Sequence, residues 1–369
     1  MSSRGEGEGE GSSSNVGFGL SFRGVPAGLG YRPWALDFTP SQNGLPDFPA
    51  ETSITLGDLT KYRYREDQWD PPLRAVSAAA EFCNKREDWY KIDKVSPHAG
   101  GDSVADLANK WRTNQNSVVG EINALKQLMA DDRARYMPEI LAQINGAPGY
   151  FVSLLGLNSS RQPWTSALIT YSLRIGEFVA IHFKRKYRRV RPSTVCPGLL
   201  PPFGPPAHPA FPSAHSLQSH IVALLLLRIP QIQDRFGPLP TPDQLGDKAY
   251  IYDQRNGYEL LWLAARIAKN RERAGLHYES DSHAGKLLAV NVVQMLVTAY
   301  STDVGKYGGL TQQQKDDFDA NMKFEDDLVK ATKAPYNFER PGFFWLMSNA
   351  MREWVYPANP PDLPLYPEP

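Results

Sequence analysis

PSAHSLQSHIVALLLL, Pro212 to Leu227, is the stretch on which the fold turns. Ser213 stands where a helix N-cap belongs, directly ahead of Ala214, His215 and a run of apolar turns. The pattern predicts a helix from Ala214 to Arg228. Its apolar run, Ile221 to Leu227, falls short of the roughly 18 to 20 residues that span a bilayer. LLAVNVVQMLVTAY, Leu287 to Tyr300, is also too short and carries Asn291 and Gln294. The start of the 214 helix has a second property. Small residues at 213 and 214 let an anion approach unpaired backbone N–H groups at the positive end of the helix dipole.

Helical periodicity spreads outward from this element. Leu107, Trp111, Val118, Ile122, Leu125 and Met129 recur at helical steps behind Ser103, which predicts one helix that Pro138 stops or redirects. A second begins near Pro163, a position proline tolerates, and runs through Tyr171 and Val179 to His182 and beyond. Others are expected at Glu259–Ala274, Ser282–Thr302, Thr311–Thr332 and Phe343–Val355. No region alternates as a strand does, and no repeat is found. The expected class is all-α, a helical bundle over residues 73–356 with antiparallel neighbours. Residues 1–72, rich in Gly and Pro behind an acidic tail, read as an irregular arm. Residues 357–369 read as a Pro-rich tail.

Forty basic and forty acidic residues cancel, so no global field draws in nucleic acid or an anionic membrane. MSSRGEGEGEGSSS at the N-terminus has no apolar stretch and reads as no secretory signal, which points to a soluble, cytoplasmic protein. The two cysteines, Cys83 and Cys196, are too few for a disulfide framework, and whether they pair stays open. A homo-oligomer is compatible with everything so far.

Against this neutral background, three segments concentrate charge and imidazole. HFKRKYRRVRPS, His182 to Ser193, places Lys184 and Arg191 seven residues apart, on nearly one face of a helix ending where Pro192 disfavours helical geometry. Its other cations, Arg185, Lys186, Arg188 and Arg189, read as a solvated basic stretch. The second segment is the opening one, with Ser213, Ala214 and His215. In the third, NRERAGLHYESDSHAGKLLA (Asn270 to Ala289), Gly275 ends a helix and Asp281 follows His277 by four residues. A carboxylate there accepts a hydrogen bond from one imidazole nitrogen and aims the other, unprotonated, into a site. Lys184, Arg191 and Arg271 with Ser213, the Ala214 N–H and two histidines make a donor set suited to a tetrahedral dianion.

Lys184-x6-Arg191-Pro192, Pro212-Ser213-Ala214-His215 and Arg271-x5-His277-x3-Asp281 together resemble the signature of the type 2 phosphatidic acid phosphatase and vanadium haloperoxidase superfamily. The resemblance covers under half of the chain and agrees with a helical bundle. It departs from the family at Ala214, where glycine is usual, and at Asn270, where serine is common. The resemblance implies that His277 is the nucleophile, His215 the general acid and base, and Asp281 the partner that orients His277. It implies that Lys184, Arg191, Ser213, Ala214 and Arg271 hold the oxyanion.

In the phosphatases this cage cleaves a phosphate monoester without a cofactor. In the haloperoxidases it holds vanadate on the residue matching His277, and halide and hydrogen peroxide are the substrates. His208, in His-Pro-x-Phe-Pro-Ser-x-His, resembles a histidine that stands behind the cage in bromoperoxidases. Ile181 and the short connection from Arg191 to His215 look more like the phosphatases, and the phosphatase reading is preferred. A non-catalytic phosphate-binding helical protein is the third reading, and it gives no reason for both histidines and Asp281. His182, His220 and His283 are expected to be structural and His98 a loop residue. Trp89-Tyr90 and Phe343-Phe344-Trp345 are expected to be core aromatics.

Overall fold

The computed structural model describes residues 71–85, 88–159, 161–241, 244–245, 258–307 and 342–354. The arm expected over 1–72, but for its last two residues, lies outside them, as do the helix expected at Thr311–Thr332 and the tail over 357–369. The described residues are 76% helical with no strand, so the fold is all-α. None of these helices is long and apolar enough to cross a membrane.

Ten of the described helices are seven residues or longer: α1 (Pro71–Lys85), α2 (Val104–Thr113), α3 (Gln115–Asp131), α4 (Arg133–Leu155), α5 (Pro163–Tyr187), α6 (Ala214–Leu226), α7 (Pro230–Phe236), α8 (Glu259–Arg273), α9 (Glu279–Tyr307) and α10 (Gly342–Arg352). The opening stretch forms α6, which packs against α5, α8 and α9. Every residue from Ala214 to Leu226 is buried, as expected of a helix enclosed on all sides. Its polar side chains therefore need internal partners. Gln218 donates to the Leu173 carbonyl at 3.0 Å, Ser216 to that of Ser282 at 2.6 Å and Ser219 to that of His215 at 2.7 Å. Gly285 makes the α6–α9 approach possible, because a Cβ there would lie 2.6 Å from the Ser213 carbonyl oxygen.

His220, expected to be structural, donates from Nδ1 to the Ser216 carbonyl at 2.7 Å. Burial lowers its pKa from 6.5 to about 3, with the Lys286 charge acting in the same direction. The unfolded chain thus binds a proton that the folded chain refuses, so stability falls as pH drops through this window. The expected slope is about 1.4 kcal/mol per pH unit. Urea unfolding between pH 7 and pH 4 should show a shallower decline for His220→Gln than for the unaltered chain.

Several helix boundaries differ from the expected ones. The helix expected from Ser103 past Met129 is two helices. Ser103 and Asp106 form a reciprocal capping box at α2, and Asn114 then ends α2 and caps α3 through Ser117 N–H at 3.3 Å. A short polar side chain that can satisfy the backbone locally favours such a break. Pro138 does not stop a helix; Pro138 and Pro148 both lie inside α4. Burial of Ile140, Gln143, Phe151 and Leu155 holds that helix through them. A bidentate Arg266–Glu139 pair, with bonds of 2.8 and 2.5 Å, joins α8 to α4. The helices at 163, 259 and 343 begin within a residue of expectation, and the one expected from Ser282 begins at Glu279.

Of the aromatic clusters expected to be core, Phe343 is buried in it, Trp89 packs against it, and Tyr90 does not belong to it. Trp89 packs edge-on against His182 at 4.8 Å, and Phe343 stacks on Tyr171 at 5.3 Å. Tyr90 is exposed. His98 sits in a loop, and His283 is half-buried on α9. Both cysteines are free.

Candidate active site

The third segment folds around its glycine. Gly275, at φ 75°, follows α8, while Gly275 N–H donates to Glu272 O at 2.7 Å and Leu276 N–H to Arg271 O at 3.1 Å. That is a Schellman ending, which the missing Cβ permits. Only Leu276, His277 and Tyr278 then separate the turn from α9, so His277 and Asp281 sit on a tight corner. Asp281 Oδ2 accepts from His277 Nδ1 at 3.1 Å and from Tyr278 N–H at 3.0 Å.

The basic segment departs from the expected geometry. Helix α5 ends at Tyr187, Arg188 takes the left-handed conformation at φ 50°, and Arg191 is extended at φ −70°, ψ 148°. Lys184 and Arg191 therefore do not share a helix face. They converge because the chain folds back. Lys184, 1% exposed, donates to the carbonyls of Pro209 and Ala210 at 2.9 and 3.1 Å. Arg191 donates to the His208 and Leu276 carbonyls at 3.2 and 3.0 Å.

Arg191 NH1 also lies 3.0 Å from His277 Nε2. A guanidinium offers only donors, and Asp281 takes the hydrogen on Nδ1, so the imidazole is held with Nε2 as its lone-pair atom. Both neighbours thus select one tautomer. His208 Nδ1 lies 3.1 Å from Arg191 NH2, placing that histidine behind the same guanidinium.

Arg189, expected among the solvated cations, is buried instead, with a side chain 2% exposed. It donates to Asp281 Oδ1 at 2.8 Å and Ser280 Oγ at 2.6 Å, and stands 4.0 Å from the Phe211 ring and 4.8 Å from that of Trp111. It follows directly on the left-handed Arg188, where the chain leaves the α5 helix path. Pro192 imposes extended geometry only on Arg191, so the sequence carried no local signal for Arg189. Burial by itself raises the Asp281 pKa, but the Arg189 charge, with the bonds from His277 and Tyr278 N–H, outweighs it and leaves the carboxyl below its ordinary value. Glu121, another unexpected neighbour, accepts from Ser280 N–H and Oγ at 3.0 and 2.9 Å. Burial pushes its carboxyl up, against the Ser280 bonds and the Arg189 charge.

Ser213 is the N-cap of α6, and its N–H donates to the Asp281 carbonyl at 3.0 Å. Ala214, 1% exposed, is the first helical residue and has no positive φ, so this backbone does not demand a glycine there. His215 Nε2 donates to the Gln143 carbonyl of α4 at 3.2 Å. Arg271, fully buried, donates to the Ile140 carbonyl one helical turn away at 2.7 Å. Asn270 also reaches α4, donating to Gln143 Oε1 at 2.9 Å.

Direct hydrogen bonds thus join His208, Arg191, His277, Asp281 and Arg189 into one chain. Lys184 attaches through the 209–210 backbone and Ser213 through its own N–H. His215 and Arg271 meet on neighbouring carbonyls of α4, an element to which the sequence assigned no part. No protein-family model matches the chain, and no curated protein matches it in sequence.

Proposed function

We propose that the chain is a metal-independent phosphatase that hydrolyses a phosphate monoester through a phosphohistidine on His277, on a bundle of the acid phosphatase and haloperoxidase type. The observation that carries this reading is His277, fully buried between Asp281 on Nδ1 and Arg191 on Nε2. The Nε2 lone pair attacks phosphorus and the bond to the leaving oxygen breaks. Arg191 frees that lone pair by moving its donor from Nε2 to an oxygen on phosphorus, where Lys184, Arg271, the Ser213 hydroxyl and the Ala214 N–H supply the remaining charge and hydrogen bonds. His215 gives the leaving oxygen a proton through Nδ1, because its Nε2 donates to Gln143. It then takes a proton from the water that cleaves the P–N bond. Asp281 stays ionised and stabilises the charged ring of His277.

A second reading, a vanadate-dependent haloperoxidase, is favoured by His208 on Arg191. The donor set fits that group too: His277 would hold vanadate through Nε2, with Lys184, Arg191 and Arg271 on its oxygens. Bound vanadate would supply activation of hydrogen peroxide for halide oxidation.

One experiment separates them. Orthovanadate is added to the purified protein in two assays, one with a chromogenic phosphate ester and one with bromide, peroxide and a halogen acceptor. Ester cleavage inhibited by vanadate, without halogenation, is the expected result. Vanadate-dependent halogenation establishes the second reading, and inactivity in both assays leaves neither.

A further inference from the structure

The far side of Arg189 opens on a cleft of about 950 Å³ between the end of α5, helix α2 and Tyr90. Arg112, Arg185, Lys186, Arg188 and Arg189 line it, and among the described residues no carboxylate does. Lys186 is matched by Asp93, and Arg189 by Asp281. No described carboxylate lies within ion-pair distance of Arg112, Arg185 or Arg188. Asp106, whose charge reaches Tyr187, is held by the capping box of α2.

Arg188 is the telling residue. It occupies a left-handed helix ending, at φ 50°, where glycine or asparagine is usual and another L-residue is strained. Its Nε donates to the Arg185 carbonyl at 3.2 Å, which holds the Arg188 side chain back along the end of α5. The pKa of His182 on the wall is lowered, first by burial and then by Lys186, with Arg185 adding to the effect and Asp93 opposing it.

We infer that this cleft is a second anion site, separate from the His277 cage, and that it takes a ligand bearing several phosphate-type groups. A concave surface lined by one sign of charge focuses its field on such a ligand, and arginines bind phosphate oxygens in a fork. Its volume lies in the range of whole small-molecule sites of roughly 300–1,000 Å³, well beyond one tetrahedral ion. The inference does not depend on the phosphatase reading.

Calorimetric titration of the full chain with inorganic tripolyphosphate tests it, in low salt, where surface charge is least screened. The double variant Arg185→Glu/Arg188→Glu should bind at least about tenfold more weakly, whereas His277→Ala should bind as the unaltered chain does. Arg112→Glu on α2 serves as an independent variant if the double one fails to fold. No binding, or binding that survives the cleft substitutions, overturns the inference. A chain that binds tripolyphosphate in the cleft yet cleaves no ester loses only the proposed function.

Discussion

His277→Ala is expected to lower kcat for ester cleavage by about four orders of magnitude or more, since under the proposed mechanism it removes the atom that bonds phosphorus. The rest of the pocket survives the change. Arg191 keeps its bonds to the Leu276 and His208 carbonyls, and Asp281 keeps Arg189 and the Tyr278 N–H. A loss of this size would therefore come from the missing nucleophile and not from collapse. His277→Asn supplies the control, because its amide can still donate to Asp281 but cannot form a phosphohistidine. Both variants should unfold cooperatively and both should be inactive. Rapid acid-free quenching of the unaltered chain with labelled substrate should trap an acid-labile phosphoprotein, absent from both variants. Turnover within tenfold of normal in His277→Ala would remove His277 from the chemistry.

Arg189→Ala is expected to cost about 3–5 kcal/mol of folding stability, the loss typical when one member of a buried ion pair is deleted. Asp281 is fully buried, and its charge is tolerated because a guanidinium lies 2.8 Å away. Without Arg189, burial dominates and raises the carboxyl instead of leaving it lowered. The pH dependence then changes sign. In the unaltered chain, the Asp281 contribution is present above the ordinary carboxylate range and is lost as pH falls through the lower folded value. In the variant, the buried charge destabilises the fold at neutral pH and is relieved on protonation. The stability gap between the two should narrow from pH 7 to pH 4 in urea unfolding, with the His220 contribution common to both. Arg189→Ala/Asp281→Asn should recover part of the loss but not activity. A gap independent of pH would mean that Arg189 acts through packing on Phe211 and Trp111 alone.

The elements legible in sequence were those whose causes are local. Ser213 and Ser103 cap helices as their spacing said, and Gly275 ends one. The four-residue step from His277 to Asp281 gave the pairing because it spans one short corner. What stayed hidden depends on contacts between distant segments. Pro138 and Pro148 run inside α4 because packing outweighs propensity. Gln143 and Ile140 offer main-chain carbonyls, which no side-chain pattern announces. Arg189 looked like one more surface cation, since charge runs are usually solvated and only the fold turns this one inward.

The bond from Ser213 N–H to the Asp281 carbonyl, with the Gly285 crossing beside it, bears on how such a pocket can diversify. The corner that carries His277 and the helix that carries His215 are stitched by main-chain atoms, so their spacing is insulated from the identity of the side chains around them. Replacements among the side chains around them need not retune that spacing. A change at Gly285 shifts both histidines at once.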